Sequence, residues 1–203
     1  VIVTGATRPL TVADTDGTAN LIDALAAART APAGVWVQFG GKRLHGGRVR
    51  KAHSQALDAF TAAPTDRAPR VTAPDPQLSP LRPHEVALLT VALLDHAAIT
   101  CDGIVLRCFG AGTVPDSPAL RATLRKAQGK GVPVVAVSQC AEGGMQIGTY
   151  AAGKALRDSG VVDGGQMTAE AAFVKIHLAL SRFAQFDAQH AYLAADQCGE
   201  MAK

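Results

Sequence analysis

Strand and helix patterns alternate along this chain, and the apolar runs that read as strands close on glycine. Val1, Ile2 and Val3 are apolar and β-branched and end at Thr4-Gly5. Residues 18–29 carry Leu21, Ile22, Leu25 and Ala26 at helical spacing, behind Asp16-Gly17. Gly34 ends that helix. Residues 35–39 then predict a strand bounded by Gly40-Gly41, followed by a turn and a helix-like stretch toward residue 60. This order of elements predicts an α/β layer built on a parallel sheet.

Residues 64–83 break the pattern. Six prolines fall there, at 64, 69, 74, 76, 80 and 83, with few apolar side chains between them. Proline removes a backbone donor and fixes φ, so such a stretch cannot pack as a helix or a central strand. A linker is expected at 64–85, between a first domain at 1–63 and a second at 86–203. In the second domain, strands are expected at 86–94, 103–106 and 132–137. Helices are expected at 117–129, 149–159 and 168–183, with a short one at 188–196. Thr168 caps the third of these, and Glu170 stands in its first turn. The expected fold is two α/β domains with mostly parallel sheets, the first incomplete in this chain. The opening at Val1 reads as mid-strand, which predicts further sequence upstream.

Composition narrows the function classes. Apolar residues make up 48% and charged residues 18%, the balance of a folded domain and not of a disordered segment. The net charge of +3 and the absence of a long Lys/Arg run argue against nucleic-acid binding. His45, Arg48, Arg50 and Lys51 form the densest basic cluster and read as a solvated hairpin end. No apolar run is long enough to span a membrane. Cys101, Cys108, Cys140 and Cys198 show no metal-binding or redox spacing. A reduced, cytoplasmic setting fits them, with Cys108 and Cys140 expected as buried thiols.

Two glycine-rich turns leave strands directly. One runs from Arg107 to Gly110 and Gly112, the other from Ser138-Gln139-Cys140 to Gly143-Gly144. Ligands of open parallel sheets bind beyond such strand ends. A dinucleotide site is excluded, because the Gly110–Gly112 pair lacks the third glycine and the helix start that hold a pyrophosphate. No cofactor and no metal is expected. Ser138, His53 and His177 carry no hydrolase motif on their own, and His177 reads as a packed or partly exposed histidine on an apolar helix.

Five ordered blocks together say more. Thr4-Gly5-Ala6-Thr7-Arg8-Pro9 with Asp16-Gly17 and Asn20-Leu21 is similar to TGAxRP…ADGxxNL, and Lys51-Ala52-His53 with Asp58-Ala59-Phe60 to KAH…DAF. Leu106-Arg107 with Gly110-Ala111-Gly112-Thr113-Val114-Pro115 follows LRxxGxGNxP, with Thr113 in place of Asn. Ser138-Gln139-Cys140 through Gly148-Thr149-Tyr150 follows TQCxxGxxxxGxYATG, and Ser159 through Ala171 follows AGVIGGxDMTxEA. Over residues 1 to about 183 the chain resembles the bacterial type I L-asparaginases.

That resemblance implies hydrolysis of L-asparagine to L-aspartate and ammonia through a threonine acyl-enzyme, an activated hydroxyl needing a proton acceptor and oxyanion donors. In the family these come from TGGT, HGTDT and a lysine placed just before the opening strand. None of these is found here, so no catalytic residue is assigned and the chain alone is expected to be inactive. The resemblance makes Tyr150 a substrate contact. It makes Arg107, Ser138 and Cys140 a second, allosteric asparagine site, where a guanidinium suits a carboxylate. It also implies a cytoplasmic homodimer or homotetramer with no nucleic-acid or membrane partner. Residues 88–103 are shorter than the family's, so the crossover there is expected to be nearly minimal. An inactive asparagine-binding or oligomerisation module, an asparaginase-like subunit of a transfer-RNA-dependent amidotransferase, and a glutaminase remain open.

Overall fold

The computed structural model describes residues 1–67, 78–92, 100–148 and 153–201. The chain divides into two compact units, Val1–Pro76 and Gln77–Lys203.

In the first unit, β1 (Ile2–Val3) lies parallel to β2 (Trp36–Phe39), with α1 (Gly17–Thr30) as the crossover between them. β2 then turns back antiparallel into β3 (Lys42–His45), pairing Phe39 with Lys42 and Trp36 with His45. β4 (Val49–Lys51) and β5 (Phe60–Ala62) form a second antiparallel pair. The helix-like stretch expected before residue 60 is therefore replaced by three strands. The cause is the turn: Gly40 and Gly41 both have positive φ, at 57° and 73°, which is the geometry of a two-residue hairpin loop. Antiparallel return follows, and among the described residues the parallel pairing of this unit is confined to β1–β2.

The second unit carries the parallel sheet. Its order is β6 (Val86–Thr90), β7 (Gly103–Cys108), β8 (Val134–Ser138) and β9 (Val162–Asp163), every neighbour parallel. β9 is a two-residue strand that periodicity does not reveal. Helices cover both faces. Ile104, Leu106, Cys108, Val134 and Ala136 pack with Leu120, Leu124 and Ala127 of α2 (Pro118–Gly129) and with Leu156 of α3 (Lys154–Asp158). Val105, Val135 and Val137 pack on the other side with Ala172, Ile176 and Ala179 of α4 (Ala169–Arg182) and Leu193 of α5 (Phe186–Ala194). Pleat alternation sorts these residues, since successive side chains of a strand leave opposite faces. Gly103 lets α4 approach, because a Cβ there would lie 2.5 Å from Ile176 Cγ2.

The helix starts follow local chemistry. Ser117 Oγ accepts from the Leu120 amide at 3.2 Å ahead of Pro118, and Thr168 Oγ1 accepts from the Ala171 amide at 3.0 Å. Such caps contribute about 1 kcal/mol each. Residues 93–99, which contain most of the short crossover, lie outside the described residues. Among the described residues no helix is long and apolar enough to cross a membrane.

Two expectations about burial are overturned. Arg48 and His45 are not a solvated hairpin end: Arg48 is 1% exposed and His45 is buried. The Arg48 guanidinium donates to the carbonyls of Ala63 at 3.1 Å and Pro64 at 3.4 Å, so backbone acceptors replace its water. Cys140 is exposed, because the chain has already left β8 and turned outward, whereas Cys108 inside β7 is buried. His177 is half-buried against the Phe173 ring, 4.7 Å between centroids.

Candidate functional site

Two strand-end regions carry the polar chemistry, one in each unit. In the first, the loop after β1 is built around the carboxylate of Asp16 at the start of α1. Asp16 accepts from the Thr7 amide at 3.0 and 3.1 Å and from the Arg8 amide at 2.9 Å. Those amides hold its carboxyl below the usual carboxylate range. Asn20, one turn on and buried, donates to Gly5 O at 3.0 Å and accepts from the Gly40 amide at 3.0 Å. Thr4 Oγ1 donates to Gln38 O at 2.8 Å. The ends of β1 and β2 are thus tied together by side chains, and the motif residues Asp16 and Asn20 are the ties.

Above those ends lies a cleft of about 260 Å³ lined by Thr4, Gly5, Thr7, Phe39, Lys51 and Phe60, among others. Phe39 and Phe60 meet edge to face at 4.8 Å, and the Lys51 ammonium stands 5.9 Å from the Phe60 ring centroid. Lys51 is the only titratable side chain in the lining. In the sequence it stands within the Lys51-Ala52-His53 block and the basic cluster. Its position at the last residue of β4, on the rim of a glycine- and threonine-lined cleft, is a signal that pairing alone reveals.

In the second unit, β7 and β8 are neighbours, with Arg107 opposite Val137 and Cys108 opposite Ser138. Ser138 Oγ donates to Gly110 O at 2.7 Å and accepts from the Cys140 amide at 2.9 Å. The Gln139 side-chain amide donates to Arg107 O at 3.2 Å. Ser138 and Cys140 therefore belong to one turn that clasps the Gly110 loop. Arg107 shares its face with Val105 and Val137, and Ser138 shares the opposite face with Cys108, so the guanidinium is not brought to the hydroxyl within the sheet. No carboxylate among the described residues pairs with Arg107. Burial, helped by the nearby Asp163 charge, pushes the Cys108 thiol up to about 12, which leaves it inert. Asp163 secures the next loop, accepting from the Ile147 amide at 2.8 Å and the Gly165 amide at 2.8 Å. Tyr150 lies outside the described residues.

The Asparaginase, N-terminal family model matches residues 1–79, and the Glutaminase/Asparaginase C-terminal domain model matches residues 86–193. L-asparaginase 1 of Escherichia coli K12 is 32% identical over 210 residues, covering 90% of this chain and 60% of the relative. The solved L-asparaginase I of Vibrio cholerae superposes with a TM-score of 0.87 at 30% identity, over 100% of this chain and 68% of that one. The thermostable L-asparaginase of Thermococcus kodakarensis superposes with a TM-score of 0.88 at 28% identity, over 100% of this chain and 67% of that one. The chain thus spans about 60% of the curated Escherichia coli relative it matches.

Proposed function

The chain belongs to the asparaginase family, and on that premise we propose that its protein is an L-asparaginase. It hydrolyses L-asparagine to L-aspartate and ammonia through an acyl-enzyme on a threonine. What supports this reading is the succession of both asparaginase domains along one chain, with the motif residues Asp16 and Asn20 tying the loop beneath the first-unit cleft. Amide hydrolysis needs a proton taken from the attacking hydroxyl and returned to the leaving ammonia. TGGT and HGTDT do not occur in the 203 residues. Neither the nucleophile nor the proton carrier is therefore assigned to any of these residues.

Tyr150 is proposed as a substrate contact and Arg107, Ser138 and Cys140 as an effector site for a second asparagine. For the last, the Ser138–Cys140 turn supplies polar groups at the end of β8, and Arg107 reaches the ligand around the end of β7. The proposed setting is a cytoplasmic homodimer or homotetramer, with no cofactor.

The test is the protein expressed from its full reading frame and incubated with L-asparagine. Equal amounts of ammonia and L-aspartate are expected, with light scattering giving at least a dimer. Hydrolysis of L-glutamine in preference to L-asparagine, or of neither amide, overturns the assignment.

A further inference from the structure

We propose that a second cleft of the first unit, beside the β2–β3 hairpin, binds a small oxyanion. The register places Trp36 opposite His45 and Gln38 opposite Arg43, so Trp36, Arg43 and His45 share one face. The Arg43 guanidinium stands 5.4 Å from the centroid of the Trp36 ring, and the His45 ring meets Trp36 edge to face at 6.0 Å. Residues 62–67 form the facing wall and contribute Thr65 and Arg67. The space between the two walls is about 190 Å³ and opens to solvent.

Charge decides what such a space takes. The guanidiniums of Arg43 and Arg67 line it beside the His45 ring, and among the described residues no carboxylate does; Asp66, beside Arg67 in the chain, is not part of the lining. Arg43 forms no ion pair among the described residues. The buried Arg48 guanidinium donates to the carbonyls of Ala63 and Pro64, so a third cation lies behind the same wall. Guanidinium groups pair with planar or tetrahedral oxyanions through charge-assisted hydrogen bonds, and stacking on Trp36 holds Arg43 ready for this. The volume is below the roughly 300–1,000 Å³ of sites for larger ligands, so the ligand is a phosphate or carboxylate bearing few other atoms.

The chain contains one tryptophan, Trp36, so its fluorescence reports on this cleft alone. The experiment titrates the 203-residue chain with inorganic phosphate and, separately, with acetate, chloride being adjusted to keep ionic strength constant. A saturable change in emission is expected with at least one oxyanion, and the tighter of the two identifies the class. Arg43→Gln should raise the half-saturating concentration about tenfold, as loss of a charged hydrogen bond does. Arg67→Gln, at an exposed position, should also raise it and serves if Arg43→Gln does not fold as judged by circular dichroism. A linear response shared with chloride, or half-saturation unchanged in the folded variants, overturns the proposal.

Discussion

The amide nitrogen of Asn20 lies 3.1 Å from Asp16 Oδ2, one turn along α1, and the pair joins the ends of two strands. Asp16 gathers the amides of residues 7 and 8, while Asn20 reaches Gly5 on one side and Gly40 on the other. A motif that reads as sequence similarity is thus a mechanical joint beneath the cleft that holds Lys51.

Removing the joint should be costly. Asn20 is 3% exposed, and Asn20→Leu removes its hydrogen bonds to the Gly5 carbonyl, the Gly40 amide and the Asp16 carboxylate. A loss of about 2–4 kcal/mol is expected, at about 1 per hydrogen bond removed. Urea unfolding followed at Trp36, which reports the first unit, measures it; a change below about 0.5 kcal/mol would show that water replaces the side chain.

The second unit should show acid sensitivity traceable to one buried pair. Lys175 Nζ lies 2.6 Å from Glu200 Oε1, with both side chains buried. Burial alone would raise the Glu200 carboxyl, but Lys175 and the amides of Gln197 and Cys198 outweigh it and hold it at about 2. A carboxyl depressed on folding contributes its full stability above its unfolded value, near 4.5, and loses it as pH falls toward 2. Glu200→Gln should flatten that part of a stability–pH curve. Lys175→Met alone should cost about 3–5 kcal/mol, because it leaves a buried charge unpaired, and adding Glu200→Leu should return much of this.

Thiol reactivity should separate the cysteines. Cys140 is exposed. Cys108 is pushed up to about 12, and Cys198 to about 11 through burial and the neighbouring Glu200 charge. With a disulfide reagent near pH 8, Cys140 should account for a fast phase that Cys140→Ser removes, while Cys108 and Cys198 react only on unfolding. Persistence of the fast phase in Cys140→Ser would contradict the placement of the turn after β8.

If the effector proposal holds, Arg107→Ala weakens or abolishes a sigmoidal dependence on asparagine and spares most of the maximal rate. A charged hydrogen bond to a carboxylate is worth about 1.5–3 kcal/mol, comparable to a typical coupling energy between sites. Steady-state kinetics decide: intact cooperativity with a fallen maximal rate assigns Arg107 elsewhere.

Residue order alone specified what depends on neighbouring residues. The apolar runs of β7 and β8, the cap at Thr168, and the punctuation at Gly34 and Gly40-Gly41 were all legible, because periodicity and capping act within a few residues. Tertiary structure decided the direction of return after Gly41, the two-residue strand β9, and which polar groups go inside. Arg48 is buried because carbonyls at 63 and 64 come to it, and Lys175 because Glu200 does. Lys51 lines a cleft because a strand fifty residues earlier in the chain ends beside it, with Phe60 across the pair. A charge enters the interior only when a partner distant in sequence replaces its water, and periodicity carries no record of that partner.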